Sequence, residues 1–166
     1  MLQKNKQFTV KEVMETKVHT IHPDQNIFSA SVLMASKDIG TLPVIKLDGT
    51  LVGILTDRDI VTRCIALGKD IHKTKVFECM SPNPIRTVPS SSISDAIILM
   101  SEYGVRRLPI VENDKLVGIV SMVDAACIAK PPTECCINDG TYEICDFVKL
   151  AGELKKTSHC NHCSDI

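Results

Sequence analysis

Residues 51–59 read LVGILTDRD and residues 116–124 read LVGIVSMVD. Each is an apolar run with Gly at its third position, a hydroxyl residue near its end and Asp three residues after that hydroxyl: Gly53, Thr56 and Asp59, then Gly118, Ser121 and Asp124. The likeness extends outward. Residues 34–45 (MASKDIGTLPVI) match residues 100–111 (MSEYGVRRLPIV), both carrying Leu-Pro before two β-branched residues. Thr20-Ile21 with Pro23 echoes Thr87-Val88 with Pro89, and Met14 corresponds to Met80. The spacing stays at about 65–67 residues, so two copies of one unit occupy residues 9–68 and 75–130, too few and too long for a solenoid.

Within a copy the pattern predicts β-α-β-β-α. Residues 18–21 form a short strand stopped by Pro23. Asn26 caps a helix whose apolar stripe is Ile27, Ala30, Leu33 and Met34. Residues 42–47 and 51–55 are strands joined by an Asp48-Gly49 turn. Thr56 caps a second helix with Ile60, Val61, Cys64 and Ile65, which Gly68 ends. In the second copy Ser92 and Ser121 are the caps, and Ile93, Ala96, Ile97 and Met100 make the first stripe. A short lead-in helix precedes each copy, the first opened by a Thr9/Glu12 capping box. About 60 residues bury little surface alone. Two copies packed sheet to sheet about a pseudo-twofold axis, leaving two equivalent clefts between them, solve that problem. The expected fold class is therefore α+β (α/β).

Composition narrows the function. The 166 residues carry 19 Lys and Arg against 20 Asp and Glu, which offers no basic excess for nucleic acid or anionic lipid. Aromatics are 4% and Trp is absent, which disfavours base-stacking platforms. No run approaches the roughly 18 apolar residues of a membrane span. Lys4 and Lys6 have no apolar stretch behind them, so a cytoplasmic protein with reduced thiols is expected. No nucleophile motif, H-E-x-x-H helix or Walker loop involves the five His or any Ser, and no catalysis is expected.

The repeated hydroxyl and Asp have a plain reading, a helix N-cap with an acidic residue at N3. Thr9/Glu12 and Ser92/Asp95 share that spacing without other hints of function. A second reading adds geometry. Helix N-terminal amides accept phosphate, a carboxylate one turn in accepts ribose hydroxyls, and a Gly beside it lets a flat base approach. Together these describe a nucleotide.

On Gly-x-x-Thr-Asp-Arg-Asp-Ile, Gly-x-x-Ser-x-x-Asp, the two Leu-Pro strands and the Thr-x-x-Pro and Thr-x-Pro starts, residues 9–130 resemble a tandem pair of cystathionine-β-synthase (CBS) domains, a Bateman module. The resemblance implies a regulatory homodimer that senses AMP, ADP, ATP or an adenosyl ligand such as S-adenosylmethionine and acts on another protein. It assigns Asp59 and Asp124 to the ribose, and Thr56 and Ser121 to the phosphate end. It points Arg107, with Arg106 the lesser candidate beside it, at the phosphate, which Arg58 could also reach, and it sets Thr20-Ile21 and Thr87-Val88 where backbone groups meet the base. Copy one has Gly40-Thr41 where copy two has Arg106-Arg107, and Asp57-Arg58 where copy two has Met122-Val123. Unequal sites are therefore expected, at most one of them suited to a charged phosphate chain.

Eight Cys need an account. Cys64 and Cys127 fall on helical stripes and read as core; Cys79 is the third of the repeats. Five crowd residues 131–166, an acidic segment with 3 basic and 6 acidic groups that begins at Pro131-Pro132 and contains an amphipathic stretch from about 142 to 156. Cys160-x-x-Cys163 is half of a metal site. Cys135 or Cys136, with Cys145 or a His, would complete it, zinc being the first expectation and iron–sulfur the second. A redox-responsive thiol pair and a terminus with incidental Cys stay open. The rival function is accordingly a metal- or redox-responsive protein that works through this segment, with the repeats as a dimerisation scaffold.

Overall fold

The computed structural model describes residues 8–129. The segment carrying Cys135, Cys145, Cys160 and Cys163 lies outside them, as does the side chain of Cys127. The elements are α1 (Ile27–Lys37), β1 (Thr41–Ile45), β2 (Leu51–Thr56), α2 (Asp57–Ile60), β3 (Ser81–Pro82), α3 (Ile93–Tyr103), β4 (Arg107–Glu112), β5 (Lys115–Ser121) and α4 (Met122–Ala129). Single 3-10 turns at Val10–Glu12 and Val76–Glu78 are the two lead-ins, and a π-helical turn, Val61–Ile65, continues α2. The mixed helix and strand class and the repeated element order agree with the sequence pattern. The strand expected at residues 18–21 shrinks to one parallel bridge, Ile21 to Val44, because the chain turns at once through Pro23 and Gln25, whose N–H reaches the His22 carbonyl at 3.1 Å.

β1, β2 and β3 form an antiparallel sheet in that order, with Thr41 opposite Thr56 and Ile54 opposite Ser81. β4 and β5 form a two-stranded sheet. The first hairpin turns through Gly49 at φ +86°, a left-handed conformation Gly adopts without cost. The N–H and hydroxyl of Thr50 hold the Asp48 carboxyl there below its ordinary value. The second hairpin turns through Asn113 and Asp114, both left-handed, the arrangement a two-residue type I′ turn requires.

The described residues form two compact units that cut across the sequence copies. One holds residues 15–87 with 109–119; the other holds 8–14, 88–108 and 120–129. The reason is an exchange of lead-ins. In the second unit the Val10 N–H reaches the Ser91 carbonyl at 2.8 Å, the Lys11 N–H that of Pro89 at 3.0 Å, and the Ile93 N–H that of Phe8 at 3.0 Å. In the first unit Val76 does the same to Gln25, Phe77 to Pro23 and Ile27 to Thr74. Each lead-in thus closes the helix start of the other copy.

The core of the first unit gathers Ile21, Ile27, Ala30, Met34, Leu42, Val44, Leu55, Ile60, Cys64, Val76 and Cys79. In the second, Val10, Ile93, Ala96, Ile97, Met100, Val120 and Ala125 are buried, and α3 packs on α4. Val61 and Ile65, expected on the buried stripe, are 53% and 57% exposed, because the π turn rotates them off the face that Ile60 and Cys64 bury. Cys79 is fully buried. Desolvation first, and the neighbouring Cys64 thiol second, push its thiol up.

α1 and α3 end alike, with Ile39 and Val105 N–H groups returning to Met34 and Met100 across a left-handed residue. That residue is Gly104 in one copy and Asp38, at φ 52°, in the other. Asp38→Gly is expected to raise stability by about 0.5–1 kcal/mol, read as a higher urea midpoint; a lower midpoint contradicts the assignment. Because the Cys79 pKa is raised on folding, its contribution to stability is complete below its ordinary 9.0 and is lost as pH rises through the folded value. Urea unfolding across that range is expected to show a loss in wild type that Cys79→Ala does not share.

Candidate ligand-binding site

β2 runs directly into α2, and the junction is locked by its own side chains. Thr56 donates to Asp59 Oδ2 from its N–H at 3.0 Å and from its hydroxyl at 2.7 Å, and the Asp59 N–H returns to Thr56 Oγ1 at 3.1 Å. The copy at β5–α4 repeats this. The Ser121 N–H and hydroxyl both donate to Asp124 Oδ2, and the Asp124 N–H returns to Ser121 Oγ at 3.2 Å. Asp59 is 9% exposed, whereas Asp124 is exposed. Thr56 and Ser121 are half-buried. The two hydroxyl–carboxylate pairs named from the sequence are therefore each brought together.

The next residues differ in a coupled way. The Asp57 N–H donates to the Gly40 carbonyl at 3.1 Å, and the Met122 N–H to the Arg106 carbonyl at 2.9 Å, so Gly40 and Arg106 are structural equivalents. A Cβ on Gly40 would stand 2.8 Å from Asp57 Oδ2, so a side chain at residue 40 would require the Asp57 carboxylate to shift. Asp57 Oδ1 also takes the Arg58 N–H at 2.7 Å. In the first copy, then, three helix-start amides are spent on the protein itself. In the second, the Met122 side chain has no oxygen to take the Val123 N–H, and Arg106 and Arg107, at the entry to β4, are exposed. Arg58 is exposed next to a hollow of about 480 Å³ lined by Asp57, Arg58, Val61 and Thr62.

Two expectations need correction. The backbone register pairs Ile21, not Thr20, with Thr87. The Ile21 and Thr87 N–H groups donate to Pro43 and Pro109, and their carbonyls accept from Ile45 and Val111, at 2.9–3.1 Å. Those main-chain groups are committed to the sheet, with Thr20 half-buried at one flank and Val88 44% exposed at the other. Nor does Gly53 leave room for a base, since Met80 Sδ lies 2.3 Å from where its Cβ would be. The sequence reading also passed over Arg63. Its Nη2 lies 3.4 Å from Asp59 Oδ1, and the i,i+4 spacing was the available signal.

The paired strand–hydroxyl–helix junctions, repeated once along the chain, define a class, and comparison with known proteins names it. The CBS domain family matches residues 10–65 and 76–127, and the chain belongs to that family. CBS domain-containing protein YhcV of Bacillus subtilis is 44% identical over 118 residues, 71% of this chain and 83% of that protein. Hypoxic response protein 1 of Mycobacterium tuberculosis is 33% identical over 118 residues, 71% of this chain and 82% of its own. A crystal structure of Hypoxic Response Protein I with two coordinated zinc ions superposes with a TM-score of 0.68, at 32% identity over 75% of this chain and 100% of that one. CBSX2 of Arabidopsis thaliana in complex with AMP gives 0.66 at 29% identity, covering 74% and 96%. The CBS domain pair of MJ0100, in complex with 5′-methylthioadenosine and S-adenosyl-L-methionine, gives 0.65 at 28%, also covering 74% and 96%. No helix among the described residues is long and apolar enough to cross a membrane.

Removing a cap hydroxyl leaves the Asp amide without its acceptor and the Asp carboxylate with one donor fewer. Thr56→Ala is expected to cost about 1–2 kcal/mol, and Ser121→Ala, whose Asp124 partner is exposed where Asp59 is buried, about 0.5–1 kcal/mol. Urea denaturation measures both, and equal or negligible losses would contradict the difference in burial.

Proposed function

We propose that this chain is a regulatory module that binds an adenosine-containing ligand, with Asp59 and Asp124 each accepting the two hydroxyls of a ribose. It acts as a homodimer on another protein by changing shape, and carries out no chemistry on its ligand. The observation that carries this reading is the duplicated junction in which a carboxylate is fixed by a hydroxyl and an N–H three residues earlier. In each, the cap holds one carboxylate oxygen and a diol would meet the other, which in the first copy lies 3.4 Å from Arg63 Nη2. The AMP and S-adenosyl-L-methionine complexes of CBSX2 and MJ0100 support it.

The two sites take different ligands. In the second copy the Val123 amide offers a donor, and Arg106 and Arg107 offer positive charge, to a phosphate chain beside Ser121. In the first, the Asp57 carboxylate sits where phosphate would, between Gly40 and the Arg58 amide, and repels it. That site suits an uncharged or cationic adenosyl group. A metal-responsive reading has the two zinc ions of Hypoxic Response Protein I in its favour. The ligands it would use here, Cys135, Cys145, Cys160 and Cys163, lie outside the described residues.

Isothermal titration with AMP, ATP and S-adenosylmethionine tests the proposal. AMP and ATP are expected to fill about one site per chain, weakened about tenfold or more by Asp124→Asn or Arg107→Gln and little by Asp59→Asn. S-adenosylmethionine is expected to show the reverse dependence. Two equal, independent sites for any one ligand would remove the asymmetry, and no binding of any would remove the function.

A further inference from the structure

We infer that Arg63 is a positioning residue that ties the Asp59 carboxylate to the strap entering β3, so that what Asp59 binds is felt at Cys79–Asn83. The inference rests on the reading of Asp59 as a ribose acid. Arg63 reaches Asp59 Oδ1 with Nη2 at 3.4 Å. Its other terminal nitrogen, Nη1, donates to the Cys79 carbonyl at 3.0 Å and to Ser81 Oγ at 3.1 Å. One rigid guanidinium thus spans two segments, which a lysine ammonium cannot do with the same geometry.

The contacts close a ring. Ser81 and Pro82 pair with Ile54 and Gly53 of β2, β2 ends at Thr56, Thr56 holds Asp59 Oδ2, and Arg63 holds Oδ1 and returns to Ser81. The same strap places the Cys79 thiol 3.8 Å from the Arg63 carbonyl and packs Met80 over Gly53. An exposed i,i+4 ion pair alone would contribute little. This one differs because the Asp59 side chain is 12% exposed and the arginine has two further acceptors in a distant segment. A ribose diol arriving at Asp59 competes with Arg63 for Oδ1, since Oδ2 is occupied by the cap. The second copy has the uncharged Ile128 at the corresponding position, so the tie described here belongs to the first site.

Hydrogen exchange followed by mass spectrometry on the full chain tests this. Without ligand, Arg63→Gln and Asp59→Asn are each expected to speed exchange of the Met80, Ser81 and Asn83 amides about threefold, and the double variant no further than Arg63→Gln alone. Amides of α3 report that the fold is intact, and Arg63→Lys is expected to behave like Arg63→Gln at the strap. A wild-type rate at the strap in Asp59→Asn, or effects that add in the double variant, would overturn the tie. With 5′-methylthioadenosine, wild type is expected to change exchange at these amides and Arg63→Gln to lose that change. Binding of the probe without any change at the strap overturns the coupling. Failure to bind the probe at all overturns the ligand reading of this site, and the ligand-free variants still decide the tie.

Discussion

A carboxylate held one turn inside a helix by the hydroxyl and amide at its start is the constraint from which the rest follows. It makes each strand run into each second helix without a loop, because the cap satisfies the first turn where four amides would otherwise lack partners. It also fixes the orientation of the acid before any ligand arrives. A preorganised acceptor loses less on binding than one that must be ordered. The same few atoms thus serve the fold and the proposed site, which is why Thr56 and Asp59 look like ordinary capping residues when taken alone.

The exchange of lead-ins explains why two copies are needed. Each helix start has backbone groups that its own copy leaves unpaired, and the turn that pairs them belongs to the other copy. Neither copy is complete by itself. Once the duplication exists, the two junctions can diverge. Asp57 with Gly40 makes one start self-sufficient and anionic; Met122 with Arg106 makes the other open and basic. Arg63 adds a tie to the strap in the first that Ile128 cannot supply in the second.

Most of the fold was legible because it is written in repeated local signals. Helix caps at Asn26, Thr56 and Ser92, the apolar stripes of α1 and α3 and the turn at Gly49 all depend on neighbours three or four residues away. What was not legible depends on distant partners or on backbone geometry. The π turn that exposes Val61 and Ile65 changes the periodicity on which a stripe argument rests. The one-residue shift that equates Ile21 with Thr87 is set by pairing with β1 and β4, not by the Thr and Pro that look alike in the chain. Gly53 invited a role in binding, yet its missing side chain is used by Met80, 27 residues on. At the site, the two hydroxyl–acid pairs could be named from spacing. That the Asp57 carboxylate stands against Gly40 could not, since the two meet only through the fold.

Native mass spectrometry of the protein as purified tests the central claim most directly, because ligand and metal report in one spectrum. The account predicts a mass increment of an adenosine-containing molecule on a dimer, displaced by added AMP or S-adenosylmethionine. A dimer carrying metal ions alone, unchanged when those ligands are added, would contradict it.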